Sequence, residues 1–320
     1  MVKIVVSANK GKQVLELEFN GKLPVSDLKK ELVAKIGVQP LRQRITQTSN
    51  NEVWKDQNTV GTYTDMIDSQ VVEVSIKDLG PQLPYLCLFL MEYGVPLLIM
   101  PFIFWASGNR SNTAQFAFVM GVVHYAKRCI ESVTVHIFSN ASVPVSGSIK
   151  NFIHYWFLYA TIVSLDVFVF GKGRAEWSHT VLRLLSALCL IFEFCNFACH
   201  RILRDLRIGK DGKVDPYARG IPSGFGFDTV VCANYLYEIL FWCTYTIATG
   251  SPACLVFTAF GAYIMVVWAA GKKKKLLQHY KDDDKESKAI RYVFHIIKII
   301  GGESWCSHMC CKDYVMYWFI

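Results

Sequence analysis

The apolar stretch 121–139 contains closely spaced side chains that could do chemistry: His124, Tyr125, Lys127, Arg128, Glu131 and His136. On a helix, His124, Arg128 and Glu131 share one face, and Tyr125 lies beside it. These groups can bind anions and donate protons. Charges at membrane depth face a bundle interior or a wet cavity, so the spacing predicts a buried functional site. The alternative is a helix end whose Lys127 and Arg128 extend to lipid head groups.

The composition separates a polar head from an apolar body. The 320 residues are 52% hydrophobic and 19% charged, which is too apolar for two ordinary soluble domains. Most of the long apolar runs lie between residues 85 and 270, whereas residues 1–80 are polar. The net charge of +8 is concentrated in loops beside the apolar runs. We expect it to set orientation and bind phosphate groups, and we expect no nucleic acid partner.

Residues 1–80 show the alternation and turn signals of a small α+β domain. The predicted elements are strands at 3–7 and 14–19 with a turn at 9–11, a helix at 24–36, and strands at 42–48 and 71–76. This order is typical of a ubiquitin-like fold. Since no diglycine end closes the segment, we expect a domain fused to the rest of the chain rather than a conjugated modifier.

The apolar body predicts an all-α, multi-pass membrane bundle over residues 85–275. Six segments are predicted to span, some with polar residues facing inward: 85–105, 115–137, 151–170, 180–203, 229–249 and 252–270. Lysine and arginine accumulate on the cytosolic side of a membrane. Cationic loops at 204–219 and 272–275 therefore place both termini in the cytosol.

The 11 cysteines predict neither a disulfide framework nor a metal centre. Most lie in apolar stretches without paired loop spacing, so we expect them to be reduced and buried. A cluster near the end could be argued as a zinc site: Cys306, His308, Cys310 and Cys311. It lacks a second half at standard zinc spacing, and we therefore expect no metal.

Short motifs occur along the chain in a fixed order. They are Asp78-Leu79-Gly80, Glu92-Tyr93, HYAKRCIES at 124–132, Val135-His136, Phe138-Ser139, Asn196-Phe197, LRDLR at 203–207, and NYLYE at 234–238. With the head, they make residues 1–275 resemble the trans-2-enoyl-CoA reductases of very-long-chain fatty acid elongation, in the steroid 5α-reductase superfamily. The resemblance implies an enoyl-CoA substrate, the last step of the elongation cycle, the endoplasmic reticulum membrane, and other elongase-cycle enzymes as partners.

The resemblance also implies NADPH as cofactor, bound in a cavity of the membrane bundle that opens to the cytosol. The sequence has no GxGxxG motif after a strand, in agreement with this. By motif position the cofactor residues are Arg128, Asn196, Arg207, Asn234 and Glu238, with Tyr217 and Arg219 as further loop candidates. Guanidinium groups can bind phosphate bidentately. The alternative for Asn196 and Asn234 is a hydrogen bond between helices.

Two side chains are candidate catalytic groups. Reduction of an enoyl thioester delivers hydride to the β-carbon and builds negative charge on the thioester oxygen, which needs a hydrogen-bond donor. Tyr125 can donate its phenol proton. Glu92 matches the first-span acid of the superfamily and can join it if buried and protonated. The alternatives are an aromatic-belt position for Tyr125 and the cytosolic membrane edge for Glu92.

Residues 276–320 depart from the family pattern. Where the family has a His-Arg-x-Tyr and an Asp-Tyr-Pro motif, this sequence has Lys273-Lys274-Lys275-Leu276 and Asp282-Asp283-Asp284. No role is transferred to this tail. Either the cytosolic cap over the cofactor is built differently, or the protein is atypical and even inactive.

Two other functions stay open. The first is a 5α-reductase that acts on a steroid or polyprenol enone by the same hydride chemistry, against which the ubiquitin-like head argues. The second is an inactive, membrane-anchored ubiquitin-like scaffold. An anchor needs only one span, so six spans with inward polar residues argue against the scaffold.

Overall fold

The computed structural model describes residues 2–8, 13–64, 71–174, 176–218 and 220–280. The chain forms two compact units. The first comprises Met1–Pro84 with Ala141–Gly147, and the second comprises Tyr85–Asn140 and the chain from Ser148 onward. Some predictions lie outside the described residues: the turn at 9–11, Arg219, the tail from residue 281, and its cysteine and histidine cluster.

A four-stranded sheet forms the centre of the first unit. Its strands are β1 (Val2–Ala8), β2 (Gln13–Phe19), β3 (Gln43–Gln47) and β4 (Val71–Asp78), arranged in the order β2-β1-β4-β3. β1 is antiparallel to β2 and parallel to β4, and β3 is antiparallel to β4. The remaining elements are helix α1 (Val25–Ile36), a 3-10 turn (Pro40–Arg42), the short helix α2 (Gly61–Thr64), and a two-stranded sheet of β5 (Gln82–Pro84) and β6 (Ser142–Pro144). The small α+β head is confirmed, while its ubiquitin-like assignment stays a prediction.

Strand alternation determines which face of this sheet is buried. In β4, Val72, Val74 and Ile76 are buried and the residues between them are exposed. The apolar face of α1 joins the same core through Leu32. α1 ends at Gly37, whose φ of 69° lies in the left-handed region that glycine adopts without strain.

The second unit is built from helices. Their bounds are α3 (Tyr85–Gly94), α4 (Pro96–Ser107), α5 (Asn112–Thr134), α6 (Val145–Phe152), α7 (His179–Asp205), α8 (Ala233–Thr249) and α9 (Pro252–His279). After α6 the chain continues as two π-helical segments, Ile153–Val163 and Leu165–Val169. π-Helices are rare and often occur at functional sites. These segments contribute Tyr155 and Tyr159 to the aromatic surroundings of Tyr125.

Serine side chains begin three of the long helices. Ser111, Ser178 and Ser251 stand just before α5, α7 and α9, and each hydroxyl accepts a hydrogen bond from the backbone N–H three residues later. Each serine satisfies a donor that no intrahelical bond can use. These caps therefore fix the residues at which the three helices begin.

In the part of the chain that the structure describes, four helical stretches are long and apolar enough to cross a membrane: Tyr85–Ser107, Val145–Val169, His179–Asp205 and Pro252–His279. The prediction of six spans is not confirmed, although each of the six predicted segments is helical over most of its length. α5 carries too many ionisable residues on its inner face, and α8 has 17 residues. About 20 apolar residues are needed to cross the hydrocarbon core.

Candidate active site

Helix α5 turns its ionisable face into the second unit. Four of its ionisable side chains are at most 2% exposed: His124, Tyr125, Arg128 and Glu131. One turn earlier, a β-carbon on Gly121 would lie 2.6 Å from the hydroxyl of Tyr159, so a larger residue there would force a neighbour to move. The predicted spacing thus produces a buried polar site, and Arg128 does not extend to lipid head groups.

Arg128 donates hydrogen bonds to three neighbours. Its Nη1 donates to Oε2 of Glu131 at 2.7 Å and to Nε2 of His200 at 2.8 Å. Its Nη2 donates to the hydroxyl of Tyr93 at 3.1 Å. Its Nε is buried and has no partner among the described residues. One donor of a buried guanidinium is therefore available to a ligand.

A second network joins α5 to α7 and α8. Nδ1 of His124 lies 2.6 Å from Oε1 of Glu193, and Nε2 lies 3.4 Å from Oε1 of Glu238. Nζ of Lys127 lies 2.6 Å from the other oxygen of Glu193. Each ring nitrogen of His124 therefore faces a carboxyl group on a neighbouring helix. Buried charges in this network are therefore paired, as burial requires.

Asn196 and Asn234 connect α7 to α8. The side-chain nitrogen of Asn196 donates to the backbone oxygen of Asn234 at 2.8 Å and to Oε2 of Glu238 at 3.1 Å. Its side-chain oxygen accepts from Lys127 at 2.6 Å. Both N–H groups of Asn196 are thus used in hydrogen bonds between helices, which was the alternative to cofactor binding for this residue. The side-chain oxygen of Asn234 is buried without a partner in the described ranges, so it can still accept from a ligand.

Glu92 and Tyr125 are both 0% exposed. Asn151 on α6 donates its side-chain N–H to Oε1 of Glu92, whereas Oε2 has no partner in the part of the chain that is described. The hydroxyl of Tyr125 likewise has none there. The ring of Tyr93, which follows Glu92 in the chain, lies 6.4 Å from the ring of Tyr125. Each candidate therefore keeps one polar atom that a substrate could engage, and neither side chain is exposed on the surface of the protein.

Arg207 lies in the loop that follows α7 and is 6% exposed. Its Nη1 donates to the backbone oxygen of Ile137, just after α5. In the same region, the hydroxyl of Ser139 donates to the backbone oxygen of Pro216 at 2.9 Å. These contacts join the chain segments that leave α5 and α7. The backbone N–H of Tyr217 donates to Asp215 within the second segment.

Glu131, His136 and His200 are close enough to be considered as metal ligands, with ligand atoms within 4.8 Å of one another. The hydrogen bond from Arg128 argues against that use. An arginine N–H can only donate, so Nε2 of His200 must accept and the ring proton must be on Nδ1. His200 then offers an N–H donor and no free lone pair. This corner of the site suits an anion better than a cation.

Four residues of the site were not predicted from the sequence as site residues: Tyr93, Asn151, Glu193 and His200. Glu193, Asn196 and His200 recur at helical spacing on α7, so the pattern that identified α5 could also have found them. Tyr93 follows Glu92 directly within a motif already noted. Asn151 stands alone in its segment, and only the fold brings it to Glu92.

Comparisons with known proteins agree over most of the chain. Residues 141–294 match the family described as 3-oxo-5-alpha-steroid 4-dehydrogenase. The very-long-chain enoyl-CoA reductase of Dictyostelium discoideum is 30% identical over 301 residues, which cover 91% of this chain and 98% of that protein. The probable very-long-chain enoyl-CoA reductase of Caenorhabditis elegans is 31% identical over 235 residues, which cover 70% of this chain and 76% of that protein. Since the similarity extends over nearly all of the first relative, this chain belongs to the very-long-chain enoyl-CoA reductases of the steroid 5α-reductase superfamily.

Proposed function

We propose that the protein reduces the trans-2 double bond of very-long-chain enoyl-CoA with NADPH, giving the saturated acyl-CoA that ends one elongation cycle. The observation that carries this proposal is a set of buried polar atoms without partners among the described residues: Oε2 of Glu92, Oη of Tyr125, Nε of Arg128, Nδ1 of His200 and Oδ1 of Asn234. Buried polar atoms nearly always have hydrogen-bond partners. A polar ligand in this family's site would supply them.

The residues fit a dinucleotide cofactor. NADPH supplies the hydride when bound. Arg128 and His200 offer N–H donors of the kind that phosphate oxygens accept, and Asn234 offers an acceptor. Arg128, Asn196, Arg207, Asn234 and Glu238 remain our proposed cofactor residues. Because the N–H groups of Asn196 are already used, its proposed part is to orient Glu238.

Tyr125 and Glu92 are our proposed hydrogen-bond donors to the thioester oxygen. When the β-carbon accepts hydride, the electrons of the double bond move toward that oxygen and form an enolate, whose α-carbon then takes a proton. A buried donor stabilises this developing charge strongly because water does not compete with it. The phenol of Tyr125 and a neutral Glu92 can each donate from an atom that has no described protein partner.

The wider setting of the reaction is also a proposal. We place the catalytic domain at residues 85–275 with about six spans, an N-terminal ubiquitin-like domain at 1–80, and a tail at 276–320 without an assigned role. The endoplasmic reticulum membrane is what the family resemblance implies, and the cationic loops support both termini being cytosolic. An elongation product is the substrate of the next cycle, so we expect other elongase-cycle enzymes nearby.

The test uses the full chain in membranes. NADPH oxidation is followed with a long trans-2-enoyl-CoA and, separately, with a steroid enone and a polyprenol-derived enone. We expect turnover of the enoyl-CoA. Turnover of an enone alone would indicate an enone substrate, in line with the family that residues 141–294 match, and would overturn our proposed substrate. Absence of any turnover, together with absence of NADPH binding, would favour the scaffold.

A further inference from the structure

We propose that Asn151 is a positioning residue that keeps the proton of Glu92 on Oε2, so that this oxygen donates to the substrate. The inference rests on the proposed function for the identity of the acceptor, the thioester oxygen. The placement of the proton rests on the protein alone. Asn151 is not recognisable as a site residue from its own segment.

The hydrogen-bond chemistry of the pair determines which oxygen carries the proton. The side-chain nitrogen of Asn151 is a donor only, and it contacts Oε1 of Glu92. Oε1 must therefore accept. In a neutral carboxylic acid the carbonyl oxygen is the better acceptor, so this contact favours the hydrogen on the other oxygen. That oxygen, Oε2, is the one without a partner among the residues described.

The basic side chains of the site already contact carboxylates other than Glu92. His124, Lys127 and Arg128 lie against Glu131, Glu193 and Glu238. Among the described residues, Glu92 is not paired with a cation. An ion with 0% exposure and a single donor is costly, whereas the neutral acid needs only one acceptor for its proton. The packing therefore favours a neutral Glu92.

The first experiment records the infrared carbonyl stretch of protonated carboxyl groups in the full-length protein. We expect a band that Glu92→Gln removes. Asn151→Leu should shift this band to higher frequency, because a carbonyl that loses a hydrogen bond vibrates at higher frequency. Asn151→Ala, which adds no bulk, tests the same shift if the leucine variant does not accumulate. A band that is absent from the wild-type protein, or that neither variant shifts, would overturn the proposal.

A matched control separates this effect from general damage. Asn109 is also buried, but it lies in the turn before α5, and its side-chain oxygen accepts from the backbone of Ser111. Asn109→Leu should leave the band in place. An equal shift in this variant would show that the band responds to any buried asparagine, and would count against a specific role for Asn151.

Kinetics provide the second readout. Asn151→Leu should lower kcat about tenfold or more while leaving the KM for NADPH unchanged, since only the donor to the thioester oxygen is disturbed. In a Glu92→Leu background the same change should have no further effect, because there is no carboxyl to position. Additive losses would contradict the proposal. If the infrared bands behave as expected but enoyl-CoA is not reduced, only the proposed function is contradicted. If enoyl-CoA is reduced but Asn151→Leu does not shift the band, only the role of Asn151 is contradicted.

Discussion

The second unit buries charged side chains in a helical site, whereas the core cluster of the first unit is apolar. The core of the first unit consists of apolar residues such as Ile4, Leu32 and Trp54. In the second unit Arg128 and Glu131 are buried, while Phe102 is 73% exposed. Apolar side chains on the outside are stable against lipid, and charges on the inside must be paired or serve a ligand. A buried charge in the second unit therefore indicates function, whereas buried apolar side chains stabilise the first unit.

A pair of leucine substitutions should show the largest difference in stability. Leu32→Ala removes a fully buried side chain from the first unit and should lower its free energy of unfolding by about 3 kcal/mol. Leu98→Ala changes a side chain that is 71% exposed on α4, and we expect little effect. Hydrogen exchange of the full chain, read in peptides from β1 and α1, measures the first change. Equal loss of protection from hydrogen exchange in both variants would contradict the expected difference between buried and exposed leucines.

A pair of tyrosine substitutions should separate function from stability. Tyr125→Phe should lower kcat about a hundredfold, while NADPH binding stays nearly unchanged, because only the contact to the developing oxyanion is lost. Tyr63→Phe removes a hydroxyl that accepts from the backbone of Lys55 in the first unit. It should weaken that unit by about 1 kcal/mol without changing kcat. Steady-state kinetics of both variants measure these effects, and an unchanged kcat in Tyr125→Phe would exclude a catalytic role for Tyr125.

Different sequence signals predicted the folds of the two units. Period-two alternation identified the strands of the head, because one face of its sheet is buried and the other is exposed. Apolar length identified the helical segments of the body. Its number of spans stays a prediction, because four helices among the described residues have the length and apolarity of a span and α5, which carries the charges of the site, is not one of them.

The site was predictable only where one helix or a recognised motif carries it. Spacing along α5 placed His124, Arg128 and Glu131 on one buried face. Contacts between helices have no local signal. The bond from Asn151 to Glu92 joins residues 59 positions apart, and nothing in either segment specifies it. Among the described residues the side-chain oxygen of Asn234 has no partner, whereas both N–H groups of Asn196 are used, and the sequence could not distinguish the two before the packing of α7 on α8 was known.

Arg207, in the loop after α7, tests whether a buried charge outside the helices also serves function. Arg207→Ala should raise the KM for NADPH about tenfold, the loss expected for one contact between charged groups. Arg204 is the matched control, because it lies three residues earlier and its guanidinium bonds to the adjacent Asp205. Arg204→Ala should leave the KM unchanged. A normal KM in Arg207→Ala would make Arg207 a structural link to Ile137 and no more.

The smallest effect is expected from a charge pair of the first unit, where polar contacts should act on stability. Arg42 donates from Nε and Nη2 to the two oxygens of Asp78 at 2.9 and 2.5 Å, and the backbone N–H of Gly80 donates to the same carboxylate. The Arg42 guanidinium, and then the Gly80 N–H, hold the pKa of Asp78 below its usual value of 3.8. Both side chains are more than a third exposed, so solvent and salt screen the pair.

The sign of the pH dependence follows from that lowered pKa. A carboxyl group whose pKa is lower in the folded than in the unfolded state stabilises the fold above the unfolded value, and this contribution disappears as the pH falls through the folded value. Wild-type protein should therefore protect β4 from hydrogen exchange slightly better than Asp78→Asn at neutral pH. The difference should fade below pH 3.8 and in high salt. A difference that grows toward acid would mean that the pKa of Asp78 is raised, not lowered, in the folded state. The kcat of Asp78→Asn should equal that of the wild-type protein at any pH at which both stay folded.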